Sequence, residues 1–192
     1  MLAASYQLDP VGINGGSSVA AMCERPEKVP EDTLQSELKA VREEVFGAGK
    51  TGWAQKGSRS SAPELRARLN LGQDKRVVLY VGQVESDTNI QVYSPYFKSN
   101  LSALTFLLEN VPSDQFFVLG KKHPKADDDD EAIRAFLGTK GCWREDVHIH
   151  DCLEAADTVV SINSSVVLEA MLLHKPTVIL GRSVFSNKGI AF

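Results

Sequence analysis

Long hydrophobic runs are missing from this 192-residue chain. None approaches the ~18 consecutive apolar residues of a membrane-crossing helix, so no span is expected. Positive charge is in deficit: 21 Lys and Arg stand against 25 Asp and Glu, for a net charge of −4. A nucleic-acid binder ordinarily carries a basic excess or stripe, and none is visible. Cysteine is scarce and odd in number, three in all. That argues against a disulfide framework and for a reducing, cytoplasmic setting. The opening Met1-Leu2-Ala3-Ala4-Ser5 has no basic region and no long apolar stretch, so a signal peptide is not expected. Internal repeats are lacking. The one low-complexity tract, Asp127 to Asp130, reads as the solvated start of a helix.

What is there is ordinary globular text, 43% hydrophobic and 24% charged. Residues 1–30 are rich in Gly, Ser and Pro and read as loop. Leu34, Leu38, Val41 and Val45 form one apolar stripe and predict a helix over 31–46. Residues 47–60 hold four Gly and few apolar residues, and read as a mobile linker. Ser61-Ala62-Pro63-Glu64 matches a capping box and predicts a helix through Leu69.

From residue 76 the text alternates between strand and helix. Strands are predicted at Arg76 to Val81, Gln115 to Leu119, Val147 to His150, Thr158 to Ile162 and Thr177 to Leu180. Helices are predicted over 98–110, 130–138 and 165–174. This pattern implies an α/β fold: a Rossmann-like parallel sheet flanked by helices. The expected division is a partial N-terminal segment over 1–60, with its helix and linker. A Rossmann-like nucleotide-sugar-binding domain, cut short at its C-terminus, is expected over 61–192.

Three polar clusters follow strands, where ligands of open α/β sheets bind. The first, Gly82 to Asp87, offers Gln83, Glu85, Ser86 and Asp87. A carboxylate placed there can act as base or nucleophile; the alternative is a local Asx turn at Asp87 and Asn89. The second is Lys121-Lys122-His123-Pro124. Pro124 disfavours helix at His123, so an extended loop presents the imidazole, and Lys121, Lys122 and His123 together can neutralise a phosphate. A surface turn is the alternative. The third, Asn163-Ser164-Ser165, opens a helix whose first N–H groups suit an anion. Glu169 lies on the Ser165 face of that otherwise apolar helix and needs a partner there; simple capping by Ser164 is the alternative.

Two look-alikes are set aside. Gly47-Ala48-Gly49-Lys50-Thr51 has Glu44 where a P-loop needs its first Gly. Cys142, His148, His150 and Cys152 match no common zinc spacing, and a strand would explain the histidine alternation. No metal site is expected.

Taken jointly, the clusters resemble the capsule polysaccharide biosynthesis/export family, which includes bacterial β-Kdo transferases. The resemblance is carried by Gly82 to Asp87, Lys122-His123-Pro124, Asn163-Ser164-Ser165, Leu168-Glu169-Ala170, Lys175-Pro176, Leu180-Gly181-Arg182 and Lys188-Gly189. Leu8 to Asn14 also resembles a family segment. The resemblance implies a GT-B-like glycosyltransferase, of which this chain holds the C-terminal donor-binding half. It implies that His123, Ser164 and Ser165 hold the donor phosphate and that Glu169 contacts the donor's sugar. It further implies that Asp87 is the catalytic carboxylate, flanked by Glu85 and Ser86, with Gln83, Lys122 and Asn163 in the donor site. No cofactor is implied beyond a nucleotide-sugar donor, CMP-Kdo being one. The implied partners are a glycan or glycolipid acceptor and, for the whole protein, the cytoplasmic face of the inner membrane. A nucleotide-sugar epimerase and a non-catalytic binding module are the alternatives. With the acceptor half absent, this chain alone is expected to be inactive.

Overall fold

A computed structural model describes residues 30–47, 51, 53–72, 74–127, 130–186 and 191. The family-like segments Leu8 to Asn14 and Lys188-Gly189 lie outside the described residues, as do Ala48 to Lys50 of the P-loop look-alike. Among the described residues thirteen elements follow one another. Helix α1 spans Glu31–Arg42 and runs into a π-helical turn, Glu43–Gly47. Helix α2 spans Ala62–Arg68, strand β1 Arg76–Val81, helix α3 Thr88–Gln91 and helix α4 Asn100–Asn110. Strand β2 is Phe116–Lys121, helix α5 Asp130–Leu137, strand β3 Gly141–Arg144 and helix α6 Ile149–Ala155. Strand β4 (Thr158–Ser161), helix α7 (Val166–Leu172) and strand β5 (Thr177–Ile179) complete the series.

All strand pairings are parallel, in the order β3-β2-β1-β4-β5. The chain first builds outward from β1 to β3, then returns to the other side of β1 with β4. The order reverses between β1 and β4, and ligands of such sheets bind at that switch point. The expected Rossmann-like sheet flanked by helices is found.

Strand β1 explains the layering. Successive side chains of a strand point to opposite faces. Val77, Leu79 and Val81 belong to one buried cluster, with Leu153 and Ala170. Val78 and Tyr80 belong to the other, with Leu104, Ile133 and Trp143. A strand covered on both faces reads as a continuous apolar run, which made β1 easy to locate.

The helix start predicted at Ser61 is met in detail. Ser61 and Glu64 form a reciprocal capping box, with Ser61 N–H donating to Glu64 Oε2 at 2.7 Å. Two expectations need correction. Val147 to His150 is not a strand: β3 lies earlier, and His148 caps α6, its Nδ1 accepting the His150 N–H at 3.2 Å. A helix buried nearly all round lacks the 3.6-residue stripe that marks an amphipathic one, and here four residues mimic strand alternation. Nor is the 47–60 segment loose where it is described. Arg59 Nε donates to Asp151 Oδ1 at 2.6 Å, and Arg59 Nη2 to Glu154 Oε1 at 2.8 Å. Ser60 N–H donates to Asp151 Oδ2 at 2.7 Å. Gly57 lies so close to the Asp146 and Val147 backbone that a β-carbon would collide with it. The charge and hydroxyl partners of this strap lie far along the chain, so composition alone made it look free.

Candidate functional site

Beyond the C-terminal ends of β1, β2 and β4 lies an open cleft of about 600 Å³. Asp87, His123 and Ser165 all line it, although they come from three separate loops. Ser86, Ser164, Gln83 and Asn163 line it as well. A smaller pocket of about 130 Å³ adjoins it and contains Glu169 and Lys122. His123, Ser164, Ser165 and Trp53 belong to both walls.

Asp87 is exposed and caps the short helix α3, its Oδ1 accepting the Asn89 N–H at 2.7 Å. The Asx-type geometry open from the sequence is therefore present, and the carboxylate still borders the cleft. Glu85 differs. Its Oε1 accepts the Asn100 N–H at 2.6 Å, at the start of α4, and it is not among the residues lining either pocket. Expected beside a reacting group, Glu85 here satisfies one of the N–H groups that a helix start leaves unpaired.

Gln83 and Asn163 are buried, at 8% and 7% exposure. Gln83 Nε2 donates to Asn163 Oδ1 at 2.9 Å, and Asn163 N–H donates to Gln83 Oε1 at 2.9 Å. Asn163 Nδ2 also donates to the Asn89 and Arg182 carbonyls. These amides form the floor of the cleft and hold its loops. Their polar groups are engaged with protein, and both residues line the cleft.

His123 sits where the two pockets meet. Its Nδ1 accepts the Lys125 N–H at 3.1 Å. An imidazole that accepts at Nδ1 carries its proton at Nε2, so it can donate to an anion without being cationic. Burial, reinforced by the Lys121 charge, holds its pKa below the ordinary histidine value, while Asp87 pulls the other way.

The lysines divide differently from the sequence expectation. Strand β2 runs on through Lys121, whose ammonium is buried and donates to the Lys122 carbonyl at 2.8 Å. Burial lowers its pKa. Lys122 Nζ donates to Asp130 Oδ1 at 2.8 Å, and Trp143 Nε1 donates to the same oxygen at 2.9 Å. The Lys122 charge is thus compensated within the fold, while the residue still lines the smaller pocket. Lys125 lines the large cleft instead, as does Arg182. Lys125 follows Pro124 directly, and its place after the strand was the signal that could have found it.

At the third cluster, Ser165 is exposed and makes no capping bond. Ser164 Oγ accepts the Val166 N–H at 3.3 Å, and the Val167 and Leu168 N–H groups donate to the Ser164 and Ser165 carbonyls. The start of α7 is therefore largely self-satisfied, and the hydroxyls are what it offers the cleft. Glu169 has the partner its apolar helix demands: His150 Nε2 lies 3.1 Å from Glu169 Oε2. His150 Nδ1 faces Arg59 Nη1 at 3.3 Å, and a guanidinium only donates. The His150 proton therefore sits on Nε2 and is donated to Glu169.

Cys142 and Cys152 are partly and fully buried, and burial pushes their thiols up to about 11 and about 12. Among the described residues no three His, Cys, Asp or Glu gather as a metal-ligand set. No described helix is long and apolar enough to cross a membrane.

Comparison with known proteins follows the same lines. The family described as capsule polysaccharide biosynthesis protein matches residues 50–192. Two solved structures from Thermosulfurimonas dismutans share the fold. One is KpsC, beta Kdo 2,7 transferase, with TM-score 0.62 and 21% identity, over 95% of this chain and 54% of that one. The other is KpsC, beta Kdo 2,4 transferase, with TM-score 0.63 and 13% identity, over 95% of this chain and 56% of that one. The chain thus spans about half the length of either. No curated protein matches it.

Proposed function

Because this chain belongs to the capsule polysaccharide biosynthesis family, we propose that it is the donor-binding part of a glycosyltransferase that builds a surface polysaccharide. The observation that carries this reading is the meeting of Asp87, His123 and Ser165 on one cleft at the sheet's switch point. The donor is a nucleotide sugar, with CMP-Kdo the form suggested by the Kdo transferases that share the fold.

The roles follow from chemistry. The smaller pocket, about 130 Å³, is on the scale of one six-membered ring, since a ~150 Å³ cavity holds benzene. It takes part of the nucleoside, with Glu169 accepting from hydroxyls. The phosphate lies at the junction, where His123 Nε2–H, the Ser165 hydroxyl and Lys125 can donate to it. Charge grows on that phosphate as the glycosidic bond breaks, and fixed donors stabilise it. The glycosyl unit projects into the larger cleft beside Asp87. There the carboxylate acts on the anomeric carbon or on the acceptor's proton. The acceptor is a glycan or glycolipid, met by parts of the whole protein beyond this chain, at the cytoplasmic face of the membrane. No metal or cofactor enters this scheme.

Calorimetry of the chain with CMP, CDP, UDP and GDP tests the reading. One nucleotide should bind, and His123→Ala should weaken it roughly tenfold, the scale of one lost charge-assisted hydrogen bond. Unchanged affinity in the folded variant removes the phosphate role.

A further inference from the structure

Trp53 stands apart from both cores. It belongs to neither buried cluster, and it is 48% exposed. An exposed indole needs no explanation by itself, but this one walls both pockets of the site. The protein groups on its ring are themselves site residues. Lys125 Nζ sits 3.8 Å from the ring centroid, and the His123 ring stands edge-on at 6.0 Å. Among the described residues, no hydrogen-bond partner meets its indole N–H. Its backbone, by contrast, is fixed: the Trp53 carbonyl accepts from Thr51 Oγ1 at 2.7 Å and from Gln55 Nε2 at 3.0 Å. The strap behind it is pinned through Arg59 to Asp151.

We propose that Trp53 is a ligand-contacting, specificity-determining residue, stacking on the C–H face of the sugar unit carried by the donor. This rests on the nucleotide-sugar reading above. The smaller pocket has room for one ring, and His123 and Ser165 occupy the junction. What reaches Trp53 and Lys125 on the large-cleft side is then the group beyond the phosphate. The indole offers a sugar an apolar face and an N–H that no described residue engages. The ammonium stacked on the ring places a positive charge beside any carboxylate that the sugar carries. Lys125 is held there by the indole, so Trp53 orients the cation as well as the sugar. Sequence reading missed this residue because it lies in a stretch whose composition looks like linker.

The test uses the chain itself, with CMP and CMP-Kdo as paired probes and Trp53→Ala and Trp53→Phe as variants. The sequence holds two Trp, and the other, Trp143, is 2% exposed in the core. Ligand-induced change in tryptophan emission therefore reports on Trp53. Expected is a change with CMP-Kdo that is lost in Trp53→Phe. Also expected is an affinity for CMP-Kdo about tenfold lower in Trp53→Ala, the scale of a lost aromatic contact, with a clearly smaller fall for CMP, which keeps only the Lys125 contact with its phosphate. Partial retention in Trp53→Phe supports stacking. Equal affinity of wild type and Trp53→Ala for CMP-Kdo overturns the proposal while leaving donor binding intact. Equal loss for CMP and CMP-Kdo overturns it too, placing the ring on the base. Wild-type chain that binds neither probe overturns the proposal together with the CMP-Kdo assignment.

Discussion

Gln83 and Asn163 clasp each other across the ends of β1 and β4, each side chain bonding the other residue through a 2.9 Å hydrogen bond. The two strands are sheet neighbours, and the sheet order reverses between them. The clasp therefore ties together the two loops that carry Asp87 and Ser165. Both amides are buried, so removing one leaves polar groups of the other unsatisfied.

The first prediction follows. Gln83→Ala and Asn163→Ala should each destabilise the chain by about 2–4 kcal/mol, the cost of leaving one or two buried polar groups without partners. For a chain of this size that is a fall in Tm of very roughly 4–16 °C. Calorimetric melting and urea titration of both variants check it. A loss under about 0.5 kcal/mol, the usual range for a surface substitution, would mean that the clasp does not hold the floor.

Asp87 carries two separable roles, a cap and a charge. Asn caps a helix as well as Asp does, whereas Ala does not. Asp87→Ala should lose about 1 kcal/mol of stability and Asp87→Asn almost none. If the carboxylate acts on the sugar, both variants of the whole protein should lose single-turnover transfer while nucleotide affinity stays. Mass spectrometry of the wild type for a sugar–enzyme adduct then decides between nucleophile and base. Near-normal transfer by Asp87→Asn would leave Asp87 only its cap.

His123 makes donor binding pH-dependent. Burial holds its free-state pKa below the ordinary value. A bound phosphate favours the cation and raises that pKa. Protonation and binding therefore help each other. Affinity should increase as pH falls through the pKa of the complex, and level off below the pKa of the free protein. Titrating the imidazole by NMR with and without nucleotide, beside the pH profile of His123→Asn, measures this. A profile identical in the variant would show that the slope belongs to the ligand. The folding linkage has its own sign. A depressed histidine pKa contributes stability that is full above the unfolded value and is lost as pH falls through the folded one.

Lys122 and Lys125 should part company. Lys125→Ala should weaken nucleotide binding and flatten its salt dependence, because this ammonium borders the open cleft. Lys122→Ala should leave affinity nearly intact and lower stability by about 1–3 kcal/mol, since Asp130 loses the nearer and more buried of its ion-pair partners and keeps Arg134. Calorimetry on the pair, at two salt concentrations, separates the roles. A larger affinity loss in Lys122→Ala than in Lys125→Ala would reverse the assignment.

Local chemistry made much of the fold legible. The Arg76 to Val81 run is β1 to the residue. The Ser61 box starts α2, and the leucine spacing marks α4. Such signals depend on neighbours three or four residues away, or on simple alternation, and those are written in the chain itself. The failures share a cause. His148 caps a helix that is buried nearly all round, and such a helix shows no amphipathic period. Arg59 and Ser60, at the end of the stretch read as linker, are fixed by Asp151 and Glu154, which lie on a distant helix.

The sequence by itself determined which residues follow strands, and therefore which loops could line a crevice: Asp87, His123 and Ser165 are all legible on that ground. Only the tertiary structure decided what each polar group in those loops faces. Glu85 turned out to accept the Asn100 N–H at the start of α4, Lys122 to meet Asp130, Glu169 to meet His150, and Gln83 to clasp Asn163. Trp53 and Lys125 came to share a wall with His123. Hydrogen bonds and ion pairs act over about 3–4 Å. Which groups come that close depends on strand order and register, and these are set by how the whole chain buries both faces of its sheet.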